Sequence, residues 1–101
     1  MLPPNIERLV EQIIMKTGNG AIQWNQTYRN DQVSMSNQYF SVNIGYGYDP
    51  DRDISYYYVD YTDSNGHINR FMVDQGDAHF FLVKKAYDFA VASTLKIPDQ
   101  W

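Results

Sequence analysis

At 101 residues the chain reads as one domain, near the low end for a self-sufficient core. It has no cysteine, which removes a disulfide framework and thiolate metal sites, and its formal charge of -4 argues against nonspecific nucleic-acid binding through phosphate neutralisation. No apolar run approaches the ~20 residues of a membrane span and the first residues carry no signal-peptide pattern, so the expectation is a cytoplasmic protein without a membrane partner.

The first element is an amphipathic helix over Asn5–Thr17. Pro4 suits a helix start, Glu7 and Glu11 lie towards the positive end of the dipole, and Lys16 lies near the negative end. Ile6, Leu9, Val10, Ile13 and Ile14 recur at three-and-four spacing, so one stripe is buried, and Gly18 followed by Asn19-Gly20 supplies a left-handed stop. Across Ala21–Asn30 the pattern is weaker. Ile22 and Trp24 form an extended lead-in, with the indole packed over an edge of the core rather than serving as a stacking platform for a ligand.

Three further stretches alternate at period two. Gln32–Ser36 is the first strand, and a turn at Asn37-Gln38 sets Met35 opposite Phe40 and Val33 opposite Val42. In Tyr39–Tyr48, Phe40, Val42, Ile44, Tyr46 and Tyr48 share one face. The strand Ile54–Thr62 follows a Tyr48–Asp53 loop and carries tyrosines at both parities, so its sidedness must come from its neighbours. Asn65-Gly66 signals a two-residue hairpin loop, which places Tyr61 opposite Arg70, Val59 opposite Met72 and Tyr58 opposite Val73. Tyr57, Val59, Tyr61, Ile68 and Met72 then share one face; Tyr56, Tyr58, Asp60, Asn69, Phe71 and Val73 share the other.

Asp60 decides which of these faces joins Val42 and Ile44. An unpaired carboxylate pressed into a core costs several kcal/mol or takes up a proton. Pairing Val42 with Val59 and Ile44 with Tyr57 avoids this, and sets Tyr56 over Gly45, where a ring covers bare strand backbone. A second helix runs from Ala78 to Thr94, capped by Asp77. Val83, Ala86, Tyr87, Ala90 and Val91 form its stripe, Phe80, Phe81, Leu82, Phe89 and Leu95 widen it, and Pro98 precedes a short Asp99–Trp101 tail. The fold expected is α+β: a four-stranded antiparallel β-meander flanked by an N-terminal and a C-terminal helix packed mainly on one face.

Chemical motifs are sparse. Asp49, Asp51 and Asp53 make a D-x-D-x-D run with Asp60 at the twelfth position of a calcium loop, but Ile54 stands where that loop needs glycine and a strand follows, so a solvated hairpin loop is the better reading. His67 and His79 lack the convergent partners of a metal site. No nucleophile elbow, Walker loop, dinucleotide fingerprint or His-Glu-x-x-His is present, so the reading leans away from an enzyme, with no cofactor and no metal.

The sheet face turned from the helices is the candidate site. Tyr39, Asn43, Tyr56, Tyr58, Asp60 and Phe71 on it combine aromatic anchors with short polar groups beside an acidic stretch, the composition of a recognition surface. The function expected is a non-catalytic protein-interaction module, of the immunity or anti-defence inhibitor type, docking on a basic protein partner. The alternative is a small-molecule-binding module or enzyme with a pocket between sheet and helices, lined by Tyr46, Tyr57 or Tyr61. A homodimer formed through an edge strand or the aromatic face fits either.

The order of a helix ending in glycine, the run Gly20-Ala21-Ile22-Gln23-Trp24, a meander containing Asp63-Ser64-Asn65-Gly66 and an Ala/Tyr-rich helix resembles small uncharacterised proteins encoded in bacterial genomes and prophages. The resemblance implies a bacterial or phage cytoplasmic protein, and brings no catalytic residues with it.

Overall fold

A computed structural model describes residues 1–29 and 31–95. Pro98 and the Asp99–Trp101 tail lie outside these. Helix α1 (Pro4–Gly18) is followed by strands β1 (Asn25–Gln26), β2 (Gln32–Ser36), β3 (Ser41–Asp49), β4 (Ile54–Thr62) and β5 (Ile68–Asp74), then helix α2 (Phe80–Thr94). The strands form one antiparallel sheet in sequence order. Both helices pack on the sheet face bearing Val42, Ile44 and Val59, and on each other.

The sheet has five strands, not four. Trp24 is the cause of the extra one. Its buried indole Nε1 donates to Thr17 Oγ1 at 2.9 Å, which ties the lead-in to the end of α1 and lays Asn25 and Gln26 beside Ser34 and Val33. The helix itself ends in a left-handed residue, at Gly20 (φ 79°) rather than Gly18. The Ala21 N–H donates to the Lys16 carbonyl at 2.8 Å, and Gly20 N–H to Thr17 O at 3.2 Å.

On α1, Ile6, Val10 and Ile13 are buried, with Leu9 and Ile14 at the margin. Helix α2 begins at Phe80, two residues later than expected. Asp77 closes the preceding turn instead of capping the helix: its carboxylate accepts the His79 N–H at 2.8 Å, and its carbonyl accepts the Phe80 N–H at 3.1 Å. Val83, Ala86 and Ala90 are buried on α2 together with Phe80. The expected wide stripe is narrower, because Phe81, Phe89 and Leu95 stay in water.

All three expected registers slip, with different consequences. Between β2 and β3 the turn centres on Gln38-Tyr39, with Asn37 N–H donating to Phe40 O, so Met35 faces Val42 and Val33 faces Ile44. Between β3 and β4 the loop shortens to residues 50–53, so Val42 faces Tyr61 and Ile44 faces Val59. Each slip changes every partner without moving any side chain to the other face.

The β4–β5 slip moves by one position, and therefore turns β5 over. Only Gly66 takes a positive φ (84°), so Asn65-Gly66 is not the two-residue turn its sequence suggests. Asp63 Oδ1 accepts N–H groups from Asn65 and His67, and Gly66 N–H returns to Asp63 O, giving a loop of residues 64–66. Asp60 now faces Arg70, Val59 faces Phe71 and Tyr57 faces Val73. Phe71 and Val73 thus lie on the helix side, Val73 in the core and Phe71 against it, while Ile68 and Met72 turn outward, 67% and 52% exposed.

Candidate functional site

The outer sheet face is built from transverse rows. One runs Asn25, Ser34, Asn43, Asp60 and Arg70; the next runs Gln32, Gly45, Tyr58 and Met72; a third holds Gly47, Tyr56 and Asp74. The glycines matter because the rings lie on them. Built on Gly45, a Cβ would overlap Cζ, Oη and Cε1 of Tyr58; on Gly47 it would overlap the same end of Tyr56. The expected pair of Tyr56 over Gly45 is not formed: the register slip sets Tyr56 over Gly47 and brings Tyr58 over Gly45 instead.

Tyr58 belongs to the structure more than to the surface. It is only 3% exposed, its hydroxyl donates to Gln32 Oε1 at 2.7 Å, and the Arg70 guanidinium lies 4.2 Å from its ring centroid. Arg70 also holds Asp60 through two parallel hydrogen bonds, Nε to Oδ1 at 2.7 Å and a terminal nitrogen to Oδ2 at 2.8 Å. Asp60 is therefore kept out of the helix-side core, as the sequence requires, yet is 7% exposed and neutralised on the outer face. The bond to Asp60 pushes the Arg70 pKa up, against the opposing effect of burial.

Burial pushes the phenols of Tyr57, Tyr58 and Tyr87 above their ordinary value of 10.0; around Tyr58, Arg29 opposes this. Because the folded state holds these protons more tightly, their contribution is complete below pH 10 and lost as pH rises through the folded values. We expect a phenolate absorbance titration to show a late-ionising group that coincides with alkaline unfolding. Tyr58→Phe should remove one member of that late group.

The six predicted site residues do not converge. Tyr39 sits in the β2–β3 turn, 69% exposed, and roughly 25 Å from the Tyr56 row at the rise of an extended strand. Asn43 is half-buried in the row of Asp60, Tyr58 and Asp60 are internal, and Phe71 is on the opposite face. Of the aromatic residues among the six, Tyr56 is the one that is partly open on the outer sheet face itself. Beside it lies a cleft of about 430 Å³ lined by Asp49, Arg52, Ile54, Tyr56, Met72 and Asp74 among others. The sequence reading missed Arg70, Gln32 and Met72; pairing Asp60 with a cation across the hairpin would have found the first and turned Met72 outward with it.

The D-x-D-x-D carboxylates serve the β3–β4 loop. Asp49 Oδ1 accepts N–H groups from Asp51 (3.1 Å) and Arg52 (3.4 Å), and Asp53, at φ 53°, accepts the Tyr48 hydroxyl. That bond is the main reason the Tyr48 pKa is raised. Among the described residues no three His, Cys, Asp or Glu side chains gather as a metal site. His67 is exposed beside Asp63, and His79 accepts the Leu2 N–H on Nδ1 while its Nε2 faces Glu7 at 3.4 Å.

On the helix side, Tyr57 is enclosed by the rings of Tyr46, Phe80 and Tyr87, which fills the place of the predicted pocket there. Tyr61 instead lines an open cleft of about 400 Å³ with Ile6, Leu9, Phe40 and Phe71. No described helix is long and apolar enough to cross a membrane. No protein-family model, curated protein or solved structure matches the chain.

Proposed function

We propose that the chain is a non-catalytic interaction module that docks on a protein partner through its outer sheet face, centred on Tyr56 and Met72. One observation carries this reading: both helices pack on the other face, leaving Tyr56, Met72 and Ile68 exposed in part or in full on a sheet with no covering element among the described residues. Tyrosine and methionine are enriched at the centres of protein interfaces. Beneath them, Gly45, Tyr58, Gln32, Arg70 and Asp60 form a fixed platform, so little ordering would be needed on binding. Asp49, Asp51, Asp53 and Asp74 at one end favour a basic partner and a fast encounter. A masking inhibitor of the immunity or anti-defence type is the form this takes in a small bacterial or phage protein.

The test is recovery of the partner from native-host lysate with the wild-type chain and with Tyr56→Ala/Met72→Ser. Both side chains project from the sheet, so the variant should melt within about 1 kcal/mol of the parent and lose the partner. Undiminished recovery by a folded variant would remove the docking face. The cleft at Tyr61 supports a second reading, a small apolar ligand held between α1 and the sheet. Under that reading Tyr61→Ala, and not the Tyr56 variant, is the one that loses function.

A further inference from the structure

The outer face contains its own example of how it binds a cation. Arg70 stacks on Tyr58, which lies over Gly45, and closes a two-bond fork on the Asp60 carboxylate. Two residues along β4 the ring-over-glycine stack recurs without a cation and with its carboxylate on the other strand: the position equivalent to Asp60 holds Tyr58, and the acid comes from β5. Tyr56 lies over Gly47, and the carboxylate of Asp74 stands directly across in β5. Relative to Tyr58, Arg70 is the β5 residue one row away; the residue in that position relative to Tyr56 is Met72, which has no charge. Among the described residues the cation–ring contacts are Arg70 on Tyr58 and Lys85 on Phe89, and neither involves Tyr56.

The space above Tyr56 is the 430 Å³ cleft, and its rim is charged. Asp49 and Asp74 each use Oδ1 to hold a turn, Asp49 for Asp51 and Arg52, Asp74 for Gly76 at 2.9 Å. Their Oδ2 atoms make no hydrogen bond among the described residues. Arg52 is the one cation on this rim and forms no ion pair among the described residues. Two carboxylates against one guanidinium leave the cleft negative.

We propose that this cleft receives an arginine side chain of the protein partner, its guanidinium flat on Tyr56, its stem along Met72 and its N–H fork on Asp74. The inference rests on the docking reading above and names the chemistry it would use. Arginine fits better than lysine because a planar fork can stack on a ring and pair with a carboxylate at once, as Arg70 does with Tyr58 and Asp60.

The experiment is an NMR titration of the full chain with acetyl-Gly-Arg-Gly-amide at constant ionic strength, following the Tyr56 ring and Met72 methyl signals. The control peptide carries citrulline, which keeps the planar shape and loses the charge. The expected result is a saturable shift at both signals, at least about fivefold weaker with citrulline. Asp74→Asn should weaken the arginine peptide about threefold, while Arg52→Ala should strengthen it by removing a competing cation. The spectrum of each variant reports whether it is folded. No saturable shift, an equal response to citrulline, or weaker binding in Arg52→Ala would overturn the proposal. Partner loss in Tyr56→Ala/Met72→Ser without a peptide response would reject the arginine and leave the docking face standing. A peptide response with full partner recovery by that variant would show a cleft that binds arginine but that the partner does not use, and would overturn both readings.

Discussion

Gly45→Ala is expected to destabilise the chain by about 2–3 kcal/mol, an effect of overpacking rather than of lost burial. Gly45 has no need of a positive φ; what it provides is room. The Tyr58 ring occupies the volume that a β-carbon would fill, and it cannot swing away without leaving Gln32 Oε1 and the Arg70 guanidinium. Gly47→Ala creates the same overlap with Tyr56, but that ring is half-open to water and can lift, so its cost should stay below about 1 kcal/mol. Urea melts of the two variants test the contrast directly. In a Tyr58→Ala background the Gly45→Ala penalty should fall by more than half, since the clashing ring is gone. Equal penalties for the two glycines would mean the Tyr58 ring is not held where the geometry puts it.

That contrast also marks how far the sequence could be read. Sidedness in β3 and β4 was legible, because period-two alternation and the cost of burying Asp60 both put Val42, Ile44 and Val59 beneath the helices. Errors in loop length there moved partners by an even step, which parity absorbs. Strand β5 was not legible from alternation, since Ile68 and Met72 on one parity are as apolar as Phe71 and Val73 on the other. Asn65-Gly66 then pointed to the wrong loop, because a single left-handed glycine with Asp63 folded over the turn closes the hairpin one residue differently. Charge would have decided it: facing Arg70, Asp60 is neutralised, whereas facing Phe71 it is not. Strand β1 had no signal of its own, being two polar residues placed by Trp24. The candidate site suffered for the same reason as β5. Phe71 was lost to the helix side and Met72 gained, and the cleft beside Tyr56 depends on where the residue 50–53 loop closes.

Arg70→Ala should cost about 2 kcal/mol, below the ~3–5 kcal/mol of a fully enclosed pair, because half of the Arg70 side chain is already in water and solvent can reach Asp60 once it is removed. The loss has two parts: a carboxylate left with neither of its bonds, and an exposed Tyr58 ring. They separate by substitution. Arg70→Met keeps cover over Tyr58 but strands Asp60, and should recover little. Adding Asp60→Asn to Arg70→Met removes the charge that needed a partner, and should return the chain to within about 1 kcal/mol of the parent. If Arg70→Met alone is already near the parent, the arginine acts mainly as a lid on the ring, and the salt bridge contributes little. If the double variant stays as unstable as the single one, the fork between Arg70 and Asp60 fixes the β4–β5 register itself, and strand β5 should then lose its amide protection before β3 and β4 in hydrogen exchange.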